Sequence, residues 1–250
     1  MDKKAQISVF LLIGIVILVI IGIFLYQRTQ VVKAPEVTAP ANVAAVQVYV
    51  QQCLEKTGED GILHNSLQGG YYQNFDMPSI PAVGFYRVPV YFNGLSVSMP
   101  TDDKIKSEFE LFVRDKLSSC TGGFESVKGH TVAEEGNVSV KSMIIGVNKI
   151  SVEYDYPLLV DGKTEIRKFT SDYSFRLGKV YDVVQSLMEK SKEEPAFLCL
   201  SCYISAGLEN NLVFDSLTRG EYYVVIAKDM TTKKPLNFAY AIKLNPPTQT

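Results

Sequence analysis

Four cysteines carry most of the chemistry that this 250-residue chain can offer. The sharpest motif is Cys199-Leu200-Ser201-Cys202, and three chemistries compete for it. A redox dithiol needs an accessible thiolate of lowered pKa, usually in the first turn of a helix that follows a strand. The preceding segment reads instead as a charged helix end, and Phe197, Leu198 and Tyr203 are expected to shield the sulfurs. A zinc site needs four ligands, normally with a second close pair. The other cysteines are singletons, and the two histidines, His64 and His130, show no paired spacing. The third chemistry, a structural disulfide, is favoured where the domain faces an oxidising medium. Four cysteines permit three connectivities. The preferred one pairs Cys53 with Cys120 and Cys199 with Cys202. Cys53 and Cys120 each continue the apolar stripe of an amphipathic helix, which also suits plain buried thiols. Bridged, they close a loop of 67 residues, worth about 4 kcal/mol by chain entropy. Within a regular helix an i,i+3 bridge would be strained.

Other motifs carry less. Gly162-Lys163-Thr164 ends like a phosphate loop, but Pro157 occupies the place of its first glycine and the context is strand–turn–strand. This is a hairpin. Without partner motifs, His64 and His130 read as surface or satisfied residues. Asp102-Asp103 suit the first turn of a helix, and Glu134-Glu135 a solvated loop. No Gly-x-Ser-x-Gly elbow and no His-Glu-x-x-His pair occurs. No catalytic residue, cofactor or metal is therefore expected. Asn137-Val138-Ser139 is a glycosylation sequon at a turn-to-strand edge. Tyr71-Tyr72, Tyr86 and Tyr222-Tyr223 suit either sheet faces or a contact surface.

The elements that must position these residues follow from periodicity. Asn42 is expected to cap a helix over 43–67, weakened by Gly58 and Gly61. Asn93-Gly94 signals a hairpin between 85–92 and 95–99, and Pro89 puts its first strand at a sheet edge. Thr101 caps a second helix striped by Ile105, Phe109, Phe112 and Leu117. Strands over 138–145, 150–159 and 164–177 form an antiparallel meander. Val180, Val183, Val184, Leu187 and Met188 make a third helix, and Pro195 restarts a helix that holds Cys199 and Cys202. Final strands are expected over 212–217, 221–228 and 236–244. Helices and hairpins come in blocks, so the expected class is α+β.

Composition and one long apolar run set the location. A net charge of −2 removes the electrostatic drive of a nucleic-acid binder, and 46% hydrophobic residues exclude a disordered chain. Residues 9–26 (VFLLIGIVILVIIGIFLY) are 18 residues without charge or proline, about 27 Å of helix. With Ile7 and Ser8 this reaches the roughly 30 Å of a hydrocarbon core, so a transmembrane helix is expected. A cleaved secretory signal would be shorter and closely followed by a small-x-small site. The basic residues nearly tie across the span. The short leading tail places the N-terminus inside and the domain outside. The expected organisation is a tail at 1–8, the anchor at 9–26 and a spacer at 27–41 containing Pro35 and Pro40. An α+β ectodomain follows at 42–194, and at 195–250 a C-terminal segment packs on the same domain.

Lys3-Lys4-Ala5-Gln6-Ile7-Ser8, abutting the apolar run, resembles the processing region of archaeal class III prepilin-like signals. The resemblance implies cleavage between Ala5 and Gln6 that leaves the helix attached. Phe10 stands where pilins usually carry a glutamate, and Gly14 where leucine is common. The stretches VQVYVQQCLEKTGEDGI, LQGGYY, YSFRLGKVYDV and FLCLSC are similar to an uncharacterised group of archaeal single-pass membrane proteins, a resemblance that supplies no activity. The expected role is a non-enzymatic, membrane-anchored extracytoplasmic protein, a prepilin-like envelope component being one form of it. Its partners would be the lipid bilayer and other envelope proteins. The alternative is an extracytoplasmic thiol–disulfide oxidoreductase that uses Cys199 and Cys202.

Overall fold

Apolar periods of 3.6 and 2 residues become helices and strands in a computed structural model, which describes residues 43–82 and 86–245. The predicted tail, membrane helix and spacer, with Ala5 and Gln6, lie outside the described residues. The helices are α1 (Ala44–Ser66), α2 (Asp102–Thr121), α3 (Leu177–Glu193) and α4 (Leu200–Asn210). The strands are β1 (Ser79–Pro81), β2 (Arg87–Phe92), β3 (Val132–Glu134), β4 (Ser139–Ile145), β5 (Ile150–Val160), β6 (Thr164–Tyr173), β7 (Leu212–Arg219), β8 (Tyr222–Asp229) and β9 (Leu236–Lys243). The architecture is α+β with antiparallel hairpins. Among the described residues no helix is long and apolar enough to cross a membrane.

The meander forms as expected, except that its last strand ends at Tyr173 and Leu177 already begins α3. Along β5 buried and half-buried residues alternate over all 11 positions, and Ile150, Val152, Tyr154, Tyr156, Leu158 and Val160 face the core. One edge of β5 is shared by β4 and β3; β6 takes the other. The second sheet has the order β1-β2-β9-β8-β7, and β2 and β9 are its one parallel pair. That pair ties the predicted C-terminal segment to the earlier half, so no break falls near Glu193 and Pro195. One continuous hydrophobic cluster draws side chains from both sheets and from α1 to α4.

Two strand expectations are corrected. The Asn93-Gly94 turn forms, with Gly94 at φ 88° and Asn93 Oδ1 accepting from Leu95 N at 3.0 Å and Ser96 N at 2.8 Å. The returning chain makes only an isolated bridge, Phe92 to Val97, not a strand. β1 already takes Arg87 to Pro89, so the returning chain pairs only with the end of β2, where Ser98 N donates to Tyr91 O at 2.8 Å. Nor is Pro89 on an edge. Its strand lies between β1 and β9, and the missing donor is tolerated because the ladder to β9 begins only at Val90.

The helices pack where their stripes imply. Thr101 Oγ1 caps α2 by accepting from Lys104 N at 3.2 Å, Asp102 and Asp103 occupy its first turn, and all four stripe residues are buried. Asn42 lies outside the described residues, and Val43 at the N-cap of α1 makes no side-chain cap. Gly58 and Gly61 are not weak points but the small residues of α1's buried face. A Cβ on Gly61 would lie 2.9 Å from Phe112 Cδ1, and one on Gly58 2.0 Å from Tyr173 Oη.

Candidate functional site

Pro195 ends the charged tail of α3 but does not start the next helix. Residues 194–198 turn first, with Phe197 N donating to Glu194 O at 3.3 Å and Asn245 N to Pro195 O at 2.8 Å. α4 begins at Leu200, and Cys199 is its N-cap: Cys199 Sγ accepts from Cys202 N at 3.3 Å and lies 3.5 Å from Ser201 Oγ. Cys202 lies in the helix as expected, whereas Cys199 stands at its cap rather than inside it. Cys199 and Cys202 form a disulfide, and a residue at the N-cap is free of helical φ/ψ, which removes the anticipated strain within a regular helix. The expected shielding is also incomplete. Tyr203 points inward, its ring 5.2 Å from Phe214 edge-on and its hydroxyl 3.4 Å from Tyr240 Oη. Burial pushes the Tyr203 phenol up to about 12. Phe197 is 66% exposed, turned away into solvent.

Packing fixes α4 by its opposite face. Gly207 lies so close to β7 that a Cβ there would be 2.7 Å from Leu212 O. Asn211 ends the helix in the left-handed region at φ 55°. Arg176 Nη2 donates to Asn210 O at 2.6 Å, and its Nε pairs with the fully buried Asp229 carboxylate at 3.2 Å. So held, α4 presents Leu200, Ile204 and Leu208 at i, i+4 and i+8 to water, at 61%, 64% and 79% exposure. Such a stripe would ordinarily be core. Between α4 and β7 runs an open groove of about 350 Å³, lined by Leu198, Leu200, Ile204, Leu208, Val213 and Phe214 among others. β7 is the last strand of its sheet and pairs in unbroken register with β8 from Leu212 to Arg219. Exposed apolar clusters of this kind mark contact sites.

The other predicted residues lie elsewhere. Cys53 and Cys120 form the second disulfide, Cα–Cα 5.6 Å, which ties the middle of α1 to the end of α2. Tyr49 braces it by donating to Cys120 O at 2.9 Å and Thr121 O at 3.1 Å. Asn137 is exposed between β3 and β4, whereas Val138 of its sequon is buried. His64 sits among the rings of Tyr72, Tyr86 and Phe112, and burial followed by the nearby Lys116 charge lowers its pKa. His130 pairs with Asp161 at 2.8 Å. Glu134 is not in a loop but closes β3. Among the described residues no group of three His, Cys, Asp or Glu side chains is placed to hold a metal.

Two buried charges gave no signal in the sequence. Asp229 is one, as the partner of Arg176. The other is Glu108 on α2, whose Oε2 accepts backbone N–H bonds from Tyr72, Gln73 and Asn74 at 3.0, 2.9 and 3.1 Å. Burial alone would raise this carboxyl, but the three donors and Lys104 together hold it below the usual range. The α4 stripe was also missed, although a four-residue spacing of leucine and isoleucine at 200, 204 and 208 is the signal that could have found it. No known protein family, curated protein or solved structure matches the chain, so its own geometry carries the functional reading.

Proposed function

We propose that the chain is a single-pass membrane protein whose described domain stands outside the cytoplasm and works by contact with another envelope protein. The observation that carries this reading is the pairing of all four cysteines in two disulfides. Such bonds persist in oxidising compartments and are rare in the cytosol. The uncharged run at 9–26 supplies the anchor, and the exposed Asn137 side of the sequon is compatible with an external face. The contact surface is the apolar face of α4 with the edge of β7, because water is a poor partner for Leu200, Ile204 and Leu208. Near-neutral net charge supports a protein partner over a nucleic acid.

The test is protease treatment of intact cells, with intact mass read under non-reducing conditions. Digestion of the bulk of the chain, two disulfides and retention in the membrane fraction are expected. A chain recovered from the cytosol with four free thiols and protected from protease would overturn the reading. The same mass reports whether the prepilin-like signal is cut between Ala5 and Gln6.

A further inference from the structure

We propose that Cys199–Cys202 is a reactive disulfide that exchanges with polypeptide thiols, and that Cys199 is the sulfur that takes the substrate. This goes beyond the contact role and does not depend on the anchor.

The two disulfides differ in the loop each closes and in the burial of one partner, Cys53, whereas Cys120, Cys199 and Cys202 are all half-buried. Cys53–Cys120 joins two helices across 67 residues, and Cys53 is 2% exposed. Cys199–Cys202 spans a separation of 3, and closing so short a loop constrains the unfolded chain far less. Its contribution to stability is at most about half that of the larger loop. Its two sulfurs are also unequal. Cys202 packs against the main hydrophobic cluster, whereas Cys199 stands outside that cluster at the helix entrance. Both residues are half-buried, so the inequality lies in packing and in the N-cap position, which makes Cys199 the sulfur at the helix entrance.

The same placement favours the reduced form's chemistry. Once the bond opens, a Cys199 thiolate keeps the Cys202 N–H as a donor and sits at the positive end of an 11-residue helix. Leu198 and Leu200, on either side of Cys199 in the chain, both line the apolar groove between α4 and β7. Cys199 does not line the groove itself, but an apolar segment of a substrate polypeptide lying there runs past the start of α4, where Cys199 is the N-cap.

In the first step a substrate thiolate attacks Cys199 Sγ. The Cys199–Cys202 bond breaks, Cys202 leaves as thiolate, and a mixed disulfide joins the substrate to Cys199. In the second, another substrate thiolate attacks the substrate sulfur of that bond and expels Cys199 as thiolate. The substrate dithiol has lost two electrons and become a disulfide; the cysteine pair has gained them. The protons released by the substrate thiols pass to the two protein thiolates or to water. One round needs no other oxidant.

The test uses the full-length chain in detergent. The oxidised protein is mixed with reduced glutathione at neutral pH, quenched with acid and mapped by mass. Cys199–Cys202 is expected to open at least about tenfold faster than Cys53–Cys120, because neither of its cysteines is buried as Cys53 is. With oxidised glutathione, C202S is expected to acquire one glutathione on Cys199, whereas C199S leaves Cys202 unmodified. Should either variant fail to fold, alkylation of the reduced wild-type protein across pH replaces it. Half-labelling of Cys199 below about pH 8.5 supports the proposal. Equal opening rates, opening only in denaturant, or a Cys199 that labels no faster than Cys202 overturns it.

Discussion

Glu108 is 1% exposed, yet three backbone N–H groups and Lys104 Nζ at 3.1 Å surround its carboxylate, which pins the chain after α1 to the first half of α2. A carboxyl held below its unfolded value near 4.3 contributes stability above that pH and loses it as pH falls through the folded pKa. E108Q is therefore expected to lose about 2 kcal/mol at neutral pH, where charge-assisted bonds become neutral ones. The gap to wild type should narrow in acid, below about pH 4. Urea midpoints across that range check it; parallel pH curves would refute the role of the charge. Gly58 gives a prediction of opposite sign to helix propensity. Alanine is favoured over glycine in helices by about 1 kcal/mol. At Gly58 its Cβ would meet Tyr173 Oη at 2.0 Å and Tyr154 Oη at 2.6 Å. Those hydroxyls bond each other at 2.7 Å, and Tyr173 donates to Leu54 O at 3.1 Å, so neither yields freely. G58A is expected to destabilise by about 2 kcal/mol, by thermal or urea unfolding, through overpacking. A stabilised G58A would mean that α1 does not press on β5 and β6 as described.

At the scale of elements, α4 separates a stability role from a contact role. Its inward face is Tyr203 and Gly207; its outward stripe touches only water and the groove. I204E together with L208E is expected to change unfolding free energy by no more than about 0.5 kcal/mol per site, as for exposed positions generally. The same pair should abolish cross-linking of the protein to its neighbours in native membranes. A large loss of stability would place the stripe in the core instead. This stripe also shows how far sequence reading reaches. Leucine and isoleucine four apart announce a helix face, but the spacing looks the same whether that face meets a core or water. In α2 it meets the core, and Ile105, Phe109, Phe112 and Leu117 are all buried. The β4–β5–β6 meander was legible for the same reason: its pairing is local and its alternation long. The β2–β9 pair was not, because parallel pairing of 87–92 with 236–243 leaves no local trace. β1 and β3, at 3 residues each, are too short to show a period. The start of α4 was misplaced because Pro195 suits a helix start, whereas Cys199 supplies the cap.

For the molecule as a whole, the two disulfides divide two tasks, and their removal should show it. In the unfolded chain a cross-link removes conformations roughly in proportion to the logarithm of the loop it closes. The Cys53–Cys120 loop of 67 residues predicts about 4 kcal/mol, and it joins α1 to α2 where Tyr49 also holds them. The Cys199–Cys202 separation of 3 predicts under about 2 kcal/mol by the same relation. C53A with C120A should accordingly lower the urea midpoint by at least twice as much as C199A with C202A, with folding cooperative in both. If the small loop proved the costlier to lose, Cys199–Cys202 would be the true staple of the α3–α4 turn, and its exchange with outside thiols would have no physical basis. If the large loop dominates, the short bridge remains free to open without unfolding the domain, which any exchange at Cys199 requires.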